Sequence, residues 1–317
     1  MISVAMTTFN GEKYIEKQIE SIIHQSLPVD EIIVCDDGST DHTVELLKKY
    51  DVKLIQNFQN LGYKLNFKQA MEKCNGDYIF LCDQDDIWEK DKVKDMMHIM
   101  ESHKNIHVLA SSFTYIDGQD QMILTTLNKG YSNNNLYNKE VEKNALVSVL
   151  TDEFIYGNYF QGCALVMDKQ TRDFVVHHFD DRLPHDWIIS LYASIDGGMY
   201  FYNKSEFKYR IHNDNSIGVS TLNQSATQHV NRAYQFEERY QKARDALYVL
   251  DVLKSNCIDY YMQNEKKFNA IESFMEHHVS YLKNKKFFGL LGQNRYVYYK
   301  KLKSYRARIM DLLYCLK

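Results

Sequence analysis

The chain of 317 residues contains little proline, no paired cysteines and no long apolar run. Two prolines and 13 glycines exclude a collagen-like chain or a proline-rich linker. The longest apolar runs are far short of the roughly 20 residues that a membrane-spanning helix needs. With 44% hydrophobic and 25% charged residues, the composition is that of a globular protein and excludes a wholly disordered chain.

The six cysteines are scattered and show no CxxC spacing. We interpret them as reduced thiols of a cytoplasmic protein, because neither a zinc site nor a disulfide framework fits this pattern. The chain opens directly on a strand-like segment with no basic stretch followed by an apolar one, so we expect no signal peptide.

The net charge of −4 combines a basic end with an acidic body. Residues 279–317 hold ten Lys and Arg against one acid, Asp311, which leaves 28 basic and 41 acidic residues, a net charge of −13, elsewhere. A basic end predicts contact with a polyanionic surface, either membrane lipid or nucleic acid. The acidic body would repel a phosphate backbone, so we expect no nucleic-acid partner.

Strand and helix patterns alternate through the first 110 residues. The predicted strands are 2–6, 31–35, 52–56, 78–82 and 108–113, and the predicted helices are 13–24, one beginning near 41, 64–74 and 90–102. This order predicts an α/β fold with a largely parallel sheet covered by helices. Further along we predict a buried strand at 162–168, a helix at 185–198, two short strands within 200–212 and helices after about residue 221.

An acidic run follows the predicted strand at 78–82. It consists of Asp83, Gln84, Asp85 and Asp86. Ligands of parallel sheets bind beyond the carboxyl ends of the strands, where this run lies. Neighbouring carboxylates repel one another, and a Mg²⁺ or Mn²⁺ ion would relieve that repulsion. The alternative is a solvated acidic turn that caps the next helix.

A second acidic pair, Asp36 and Asp37, ends the second predicted strand. It therefore lies at the same edge of the sheet, at the carboxyl ends of the strands, which we call the rim. A carboxylate there could accept hydrogen bonds from a ribose or from a base N–H group. Helix capping through the turn at 38–41 is the alternative, and Ser39 and Asp41 fit it well.

Seven stretches in a fixed order carry a family resemblance. They are VAMTTFNGEKYIEKQIESIIHQS from Val4, IIVCDDGSTDHT from Ile32, NLGYKLNFKQAM from Asn60, GDYIFLCDQDDIW from Gly76, YFQGCALVMDK from Tyr159, PHDWIISLYAS from Pro184 and YRIHNDNSIG from Tyr209. The chain resembles family 2 glycosyltransferases of the GT-A fold, which are inverting enzymes that use nucleotide-diphosphate sugars. The forms NLGYKLNF, DQDDIW, HDW and YRIHNDN are most similar to those of bacterial polysaccharide rhamnosyltransferases.

The resemblance implies a set of nucleotide-binding and metal-binding residues. Those expected at the nucleotide are Thr7, Thr8, Asn10, Asp37, Asn60, Gly62, Lys64, Asn66 and Asp83. Those expected at a divalent cation, Mn²⁺ or Mg²⁺, are Asp83, Asp85 and His212, with Asp86 supporting them. Asn213 and Asp214 are expected to shape the loop of His212. Without the resemblance, a lone histidine is more often structural.

The resemblance assigns Asp186 as the catalytic base. Inversion by direct displacement needs one carboxylate to take the proton of the acceptor hydroxyl, and it needs the charge of the leaving diphosphate neutralised. A role for Asp186 as the cap of a helix beginning at Trp187 is the alternative. The expected acceptor-side residues are Gln161, Gly162, Cys163 and Trp187, and core packing explains Cys163 and Trp187 as well.

The resemblance covers roughly residues 1–220, for which we predict a GT-A transferase domain, followed by a helical region over 221–317. The basic, aromatic end predicts either an anionic membrane surface as partner or a homo-oligomer formed through these helices. We expect a sugar, first L-rhamnose from dTDP-rhamnose and second a hexose from a UDP-sugar, to reach a lipid-linked or growing cell-surface glycan. A sugar nucleotidyltransferase and a catalytically degenerate binding module remain the alternatives.

Overall fold

We analysed a computed structural model of the chain, which describes residues 1–125, 127, 130–131, 137, 139–212 and 236–316. The chain divides into two compact units. The first unit comprises Met1–Thr151 and Asn158–Asn215, and the second comprises Asp152–Gly157 and Ser216–Lys317. The predicted division near residue 220 stays a prediction, because residues 213–235 lie outside the described part of the chain.

The first unit contains a ten-stranded sheet. Its strands are β1 (Ile2–Thr8), β2 (Glu31–Asp36), β3 (Lys53–Gln56), β4 (Tyr78–Cys82), β5 (Ile87–Trp88), β6 (Val108–Ile116), β7 (Met122–Ile123), β8 (Leu146–Ser148), β9 (Leu165–Asp168) and β10 (Met199–Arg210). The helices up to residue 194 are α1 (Ile15–Ile23), α2 (Thr43–Leu47), α3 (Tyr63–Lys73), α4 (Lys92–Ser102), α5 (Thr151–Phe154, which runs into the second unit), α6 (Lys169–His177) and α7 (His185–Ser194).

The strand order is β3-β2-β1-β4-β9-β6-β10-β5, with β7 beside β6 and β8 beside β10. Strands β1, β2, β3 and β4 are parallel, as are β6 and β10, whereas β9 runs antiparallel to both β4 and β6. The α/β fold with a mostly parallel sheet and flanking helices is thereby confirmed. Every residue of β1 is buried, as expected of a strand whose sheet is covered on both faces.

Two local predictions were wrong. The segment 162–168 is not one strand, because Gly162–Ala164 forms a 3₁₀ turn before β9 begins. Residues 200–212 do not form two short strands; β10 is one strand of 12 residues whose pairing with β6 shifts register after Tyr202 and again after Ser205. These irregularities let the 12 residues of β10 pair along the nine residues of β6, so that both strands end level, with Arg210 opposite Ile116.

The described part of the second unit after residue 235 is helical. Its helices are α8 (Phe236–Asn256), α9 (Ile258–Gln263), α10 (Glu265–Lys283), α11 (Phe287–Gln293), α12 (Val297–Leu302) and α13 (Tyr305–Leu316). Within the described ranges, no helix combines the length and the apolar content needed to cross a bilayer.

A buried ionic group fixes the last helices of the second unit. Asp311 of α13 is fully buried and accepts hydrogen bonds from Lys303 Nζ at 2.8 and 2.9 Å and from Tyr299 Oη at 2.7 Å. Arg239 Nη1 of α8 lies 3.3 Å from the same carboxylate. The one acid of residues 279–317 is therefore an internal anchor and leaves the surface of that segment without a negative side chain.

Candidate active site

The parallel strands bring the predicted rim residues together. In the register of β1 with β2, Thr8 lies opposite Asp36, and in the register of β1 with β4, Met6 lies opposite Cys82. Because the three strands are parallel, the chain leaves all of them at one edge, where Asp37 and the acidic run 83–86 begin. This is the edge at which sheets of this class bind ligands.

The acidic run forms a group of mutually repelling carboxyl groups. Burial, and then the charge of Asp85, raises the pKa of Asp83 to about 7. The same two causes raise the pKa of Asp86 well above its usual value. Asp86 Oδ2 is buried and makes no hydrogen bond among the described residues. A buried carboxylate oxygen without a donor is costly, and a cation would remove that cost.

The donor set at this cluster fits a hard divalent cation. Ligand atoms of Asp83, Asp86 and Cys163 lie within 4.8 Å of one another. Carboxylate oxygens are the ligands that Mg²⁺ and Mn²⁺ prefer, whereas burial raises the pKa of the Cys163 thiol well above its usual value and keeps it neutral. Asp83 and Asp86 are therefore suited to a cation, with the neutral Cys163 thiol beside them, whereas the predicted role of Asp85 at the cation stays a prediction.

His212 reaches the acidic run from the end of β10. Its Nε2 lies 2.8 Å from Asp85 Oδ2, and its ring packs on Tyr14 with centroids 4.9 Å apart. Two residues predicted at the cation, 127 positions apart in the chain, are thus in contact. Asn213 and Asp214, which we expected in the same loop, lie outside the described residues.

Arg210 holds the end of β10 against the acidic run. The sequence analysis did not predict this role. The side chain is fully buried, its Nε donates to the backbone carbonyl of Asp85 at 2.6 Å, and its backbone N–H donates to Asp86 Oδ1 at 3.0 Å. The guanidinium carbon lies 4.4 Å from the centre of the Tyr14 ring. An available signal was its position two residues before His212, since alternate residues of a strand share a face.

Lys92 is a second buried cation that the sequence did not reveal. Its Nζ donates to the carbonyl of Cys163 at 2.7 Å and lies over the rings of Trp88 and Phe207. Burial lowers the pKa of Lys92, and the nearby charge of Asp86 opposes that shift. The lysine thereby offsets part of the negative charge beneath the rim.

Gln84, the variable middle residue of the acidic run, ties the run to the loop after β1. Its Oε1 accepts from the backbone N–H of Phe9 at 2.8 Å, and its Nε2 donates to the Phe9 carbonyl at 3.1 Å. A Cβ atom at Gly11 would lie only 2.3 Å from Gln84 Oε1. Gly11 therefore leaves space for the Gln84 amide, whose hydrogen bonds hold the loop after β1 against the acidic run.

Asp37 holds the loop that we expected over the nucleotide. Its carboxylate accepts hydrogen bonds from the backbone N–H groups of Leu61 at 2.8 Å and Gly62 at 2.9 Å, and from Asn57 Nδ2 at 3.0 Å. Gly62 has φ of +82°, a backbone conformation that favours glycine. Whether Asp37 also accepts from a nucleotide base stays a prediction.

The other residues expected at the nucleotide divide into buried supports and exposed groups. Thr8 Oγ1 donates to Asp36 at 3.0 Å, and Asn66 Nδ2 donates to the Cys35 carbonyl at 2.8 Å. Both side chains are buried and hold strands and loops in place. Their predicted contact with a nucleotide stays a prediction, as does that of the buried Thr7.

Asn10, Asn60 and Lys64 lie nearer the surface. Asn10 has φ of +50°, and its Oδ1 accepts from the Thr40 backbone N–H at 2.8 Å. Asn60 Oδ1 accepts from the Gly62 backbone N–H at 2.9 Å, and Lys64 Nζ donates to the Asp181 carbonyl at 2.7 Å. Lys64 therefore bridges the expected nucleotide loop to the segment before α7.

Asp186 lies in the first turn of α7. The proposed alternative, a cap for a helix beginning at Trp187, was wrong in its position, because α7 begins at His185 and its N-cap residue is Pro184. Asp186 Oδ1 accepts from the Trp187 backbone N–H at 2.8 Å, and burial raises the pKa of Asp186 to about 6. Gly162 packs against His185, and the sulfur of the next residue, Cys163, lies within 4.8 Å of ligand atoms of Asp83 and Asp86, so the start of α7 lies near the acidic run. The charge of Asp186 also contributes to raising the pKa of Asp83.

Among the residues expected on the acceptor side, Gly162 packs against His185. A Cβ atom at Gly162 would lie 2.4 Å from His185 Nε2, so this glycine makes room for the imidazole. His185 is buried and stacks on Phe67 with centroids 4.0 Å apart, and burial lowers its pKa to about 3. Trp187 is buried as well, whereas Gln161 Oε1 is buried without a hydrogen-bond partner among the described residues.

Comparison with known proteins identifies the family. Residues 3–155 match the family model described as glycosyl transferase family 2. A dTDP-rhamnosyl transferase of Shigella flexneri, RfbG, is 28% identical over 239 residues, which are 68% of this chain and 74% of that protein. This chain carries the match to glycosyltransferase family 2 over residues 3–155, just under half of its length. It is a glycosyltransferase, as predicted.

Two further proteins, one by sequence and one by structure, are similar to this family 2 transferase. TuaG of Bacillus subtilis (strain 168), assigned provisionally to teichuronic acid biosynthesis, is 32% identical over 105 residues, which are 32% of this chain and 42% of that protein. The structure of S. aureus TarS 1-349 in complex with UDP-GlcNAc is 15% identical and covers 99% of this chain and 91% of that chain, with a TM-score of 0.56. The TarS likeness shows the GT-A fold.

The family match ends at residue 155. It therefore includes Asp37, Asp83 and Asp85 of this transferase but neither Asp186 nor His212. The candidate role of His212 is supported by its contact with Asp85. That of Asp186 comes from the resemblance and is supported by its position at the start of α7, beside His185 and Gly162.

Proposed function

We propose that this transferase moves a sugar from a nucleotide diphosphate to a glycan in the synthesis of a bacterial cell-surface polysaccharide, with inversion and with Asp186 as the base. The observation that carries the proposal is that residues 162–163 connect the two groups, Asp186 and the acidic run. Gly162 packs against His185, the neighbour of Asp186, and the Cys163 sulfur lies within 4.8 Å of ligand atoms of Asp83 and Asp86. A base beside the expected diphosphate site is the arrangement that a direct displacement requires.

The environment of Asp186 suits a general base. Burial raises its pKa to about 6, and its hydrogen bond from the Trp187 backbone N–H fixes the carboxylate in the first turn of α7. A carboxylate with this pKa is ionised at neutral pH and is a stronger base than an exposed one. In our proposal it accepts the proton of the acceptor hydroxyl as the oxygen attacks the anomeric carbon.

Asp83, Asp85 and His212 would hold a divalent cation, with Asp86 beside them. The bound ion would neutralise the diphosphate leaving group. The support for this assignment is the unpartnered Oδ2 of Asp86 and the 2.8 Å contact of His212 Nε2 with Asp85. Arg210 keeps the acidic run in place through its bond to the Asp85 carbonyl.

The nucleotide would lie between the loop after β1 and the loop held by Asp37. Thr7, Thr8 and Asn10 border it on the β1 side, and Asn60, Gly62 and Lys64 border it on the other. The hydrogen bonds of Gln84 to Phe9 and of Asp37 to the 61–62 backbone support this placement, because they fix both loops before any ligand binds.

The donor we propose first is dTDP-rhamnose. Its support is the match to RfbG, which is named a dTDP-rhamnosyl transferase and aligns with 68% of this chain. A UDP-sugar is second, because TarS has the same fold and was solved with UDP-GlcNAc. We propose a lipid-linked or growing glycan as acceptor, approaching Asp186 past Gln161, whose buried Oε1 could accept a hydrogen bond from a sugar hydroxyl.

We place the reaction in the cytoplasm. The support is that all six cysteines are free thiols, four of them buried. Free thiols are typical of a reducing compartment.

Thermal unfolding with dTDP, UDP, GDP and CMP, each with and without Mn²⁺, tests the donor site. A ligand at about 100 times its Kd adds about 2.7 kcal/mol to the free energy of unfolding, which raises the Tm by several degrees. We expect a shift with dTDP that needs Mn²⁺. It should disappear in Asp85→Ala and persist in Asp259→Ala, a control at an exposed acid of α9.

Other outcomes would contradict parts of the proposal. A shift with UDP alone would replace the first donor by the second. No shift with any nucleotide would favour a degenerate binding module. Release of pyrophosphate from a nucleoside triphosphate and a sugar phosphate would identify a nucleotidyltransferase instead.

A further inference from the structure

Two neighbouring helices of the second unit expose apolar side chains. Helix α11 exposes Phe288, with 83% of its surface accessible, and Leu291. Helix α13 exposes Tyr305, Ile309 and Leu313, spaced by four residues, and then Leu316. Residues three or four apart lie on one side of a helix, so those of α13 form a stripe. We call these six side chains the apolar surface.

The orientation of α13 is fixed from its other side. Asp311 is fully buried and bonded to Lys303 and Tyr299. Ile309 and Leu313 are each two residues from Asp311, a rotation of about 200° in an α-helix. The buried ionic group therefore forces these two apolar residues outward.

Helices α11 and α13 run side by side in opposite directions. Lys285, just before α11, has its Nζ 5.7 Å from the ring of Tyr314 near the end of α13. Arg308, in the first half of α13, donates to Asn294 Oδ1 at the end of α11, at 2.7 Å. Phe288 thus lies toward the Leu313 end of α13, and the exposed residues of both helices are neighbours.

The exposed charges of residues 279–316, which carry the apolar surface, are all positive, although the exposed Glu237 of α8 acts on Tyr314. Exposed basic residues of this segment include Lys283, Lys285, Lys286, Arg295, Lys300 and Arg306. Lys301 is exposed too and lies 3.7 Å from Asp152. Over residues 279–316 there is no exposed acid, because the only one, Asp311, is internal. A second copy of the chain would bring the same positive charge to the contact and be repelled.

We propose that the apolar surface docks on a bilayer containing anionic phospholipid, with the helices in the plane of the interface. Phe288, Leu291, Ile309 and Leu313 enter the boundary between headgroups and acyl chains, and the surrounding Lys and Arg contact the lipid phosphates. No helix of the described residues could cross the bilayer, so the attachment is peripheral. Docking would bring the enzyme to the lipid-linked acceptor of the proposed function, although the surface itself requires neither donor nor acceptor.

Co-sedimentation of the full chain with lipid vesicles tests this docking without any sugar nucleotide. We expect binding to vesicles of phosphatidylcholine with 30 mol% phosphatidylglycerol, binding at least about tenfold weaker to phosphatidylcholine alone, and a steep loss of binding as salt is raised. The double variant Ile309→Ser/Leu313→Ser should reduce binding to the anionic vesicles by at least about tenfold. Lys285→Glu/Lys286→Glu should reduce it to a similar extent.

The chain offers a matched control in Ile258→Ser/Met262→Ser. These two residues are also exposed and four apart, on α9 of the same unit, but their neighbours include Asp259 and Glu265. This control should bind like the wild type. Circular dichroism melting of every variant checks that it is folded.

Wild-type binding that is absent, or equal for neutral and anionic vesicles, would overturn the proposal. So would a dimer in light scattering that Ile309→Ser/Leu313→Ser dissociates while vesicle binding is absent, since the surface would then bind a second copy. Loss of docking would leave the nucleotide-dependent thermal shift unchanged, which separates failure here from failure of the proposed transferase reaction.

Discussion

Each unit of the molecule buries aspartate, but the two units treat it in opposite ways. In the second unit, Asp311 is surrounded by Lys303, Tyr299 and Arg239, and its charge is matched. In the first unit, Asp86 Oδ2 has no hydrogen-bond partner among the described residues, and the neighbouring charge of Asp85 helps to raise the pKa of Asp86. The residue type and the burial are alike, yet the surroundings differ.

The difference separates an aspartate that holds the fold from one that is prepared for a ligand. A buried charge with complete partners stabilises the arrangement of its helices, and removing either side is costly. A buried carboxylate without complete partners lowers the stability of the unbound protein and is tolerated where a ligand compensates it. The comparison therefore supports our proposal that the acidic run binds a ligand, independently of any relative.

Asp186→Asn should have the largest effect on the reaction. Removing a general base lowers the transfer rate by about 10²-fold to 10⁴-fold, while nucleotide binding is retained because the base acts on the acceptor. Steady-state transfer assays and the nucleotide-dependent thermal shift measure the two effects. Asp181→Asn, at an exposed acid before α7, is the control. A wild-type rate in Asp186→Asn would show that the base assignment is wrong.

Asp311→Asn and Asp86→Asn form a matched pair that tests this difference between the two buried aspartates. Asp311→Asn leaves Lys303 and Arg239 without their buried counter-charge and should lower the free energy of unfolding by about 3–5 kcal/mol. Asp86→Asn removes one of three repelling charges and should change it by less than about 1 kcal/mol in the absence of metal. Urea unfolding of both variants measures these changes. Equal losses of unfolding free energy would mean that the two aspartates stabilise the fold to the same extent, which would contradict the comparison.

The pH dependence of transfer should follow Asp186. Burial raises its pKa to about 6, and the base works only when it is deprotonated. Therefore kcat/KM should rise about tenfold per pH unit below pH 6 and level off above it, provided that the protein stays folded. Hydrogen bonds from the Trp187 backbone, the Asn158 side chain and the Gly162 backbone oppose this rise in the pKa of Asp186. A profile that is flat from pH 5 to 8 would exclude Asp186 as the titrating base.

The sequence predicted what depends on strand order and on local chemistry. The α/β fold and the position of Asp37 and of the acidic run at the carboxyl ends follow from the alternation of strands and helices in the first 110 residues. The antiparallel β9 and the length of β10 could not be predicted, because both depend on pairing with β6, which is distant in sequence. The contact between Asp85 and His212, 127 residues apart, came from the family resemblance and not from spacing.

The residues that the sequence analysis missed act by holding other groups in place. Arg210 and Lys92, and also Gln84, which the sequence analysis named without predicting its contacts, each bond to backbone atoms of the rim. The partners of such bonds cannot be inferred from a sequence. For Gly162 the sequence analysis named the residue but not its contact. Its predicted place on the acceptor side stays a prediction, and the atom that occupies the space beside it is His185 Nε2, 23 positions away in the chain.

Gln84→Ala should have the smallest effect, and it tests whether such support contributes to binding. The variant loses the two hydrogen bonds to Phe9, each contributing about 0.5–1.5 kcal/mol to the loop, and the loop is exposed enough to find water instead. The expected result is a rise of a few-fold in the KM for the donor with kcat nearly unchanged, measured by steady-state kinetics. Gln84→Glu keeps the acceptor for the Phe9 N–H but loses the donor to its carbonyl, so it should lie between the wild type and Gln84→Ala. A fall in kcat with an unchanged KM would instead place Gln84 at the reacting atoms, since an interaction that holds the donor loop should affect binding of the donor rather than the chemical step.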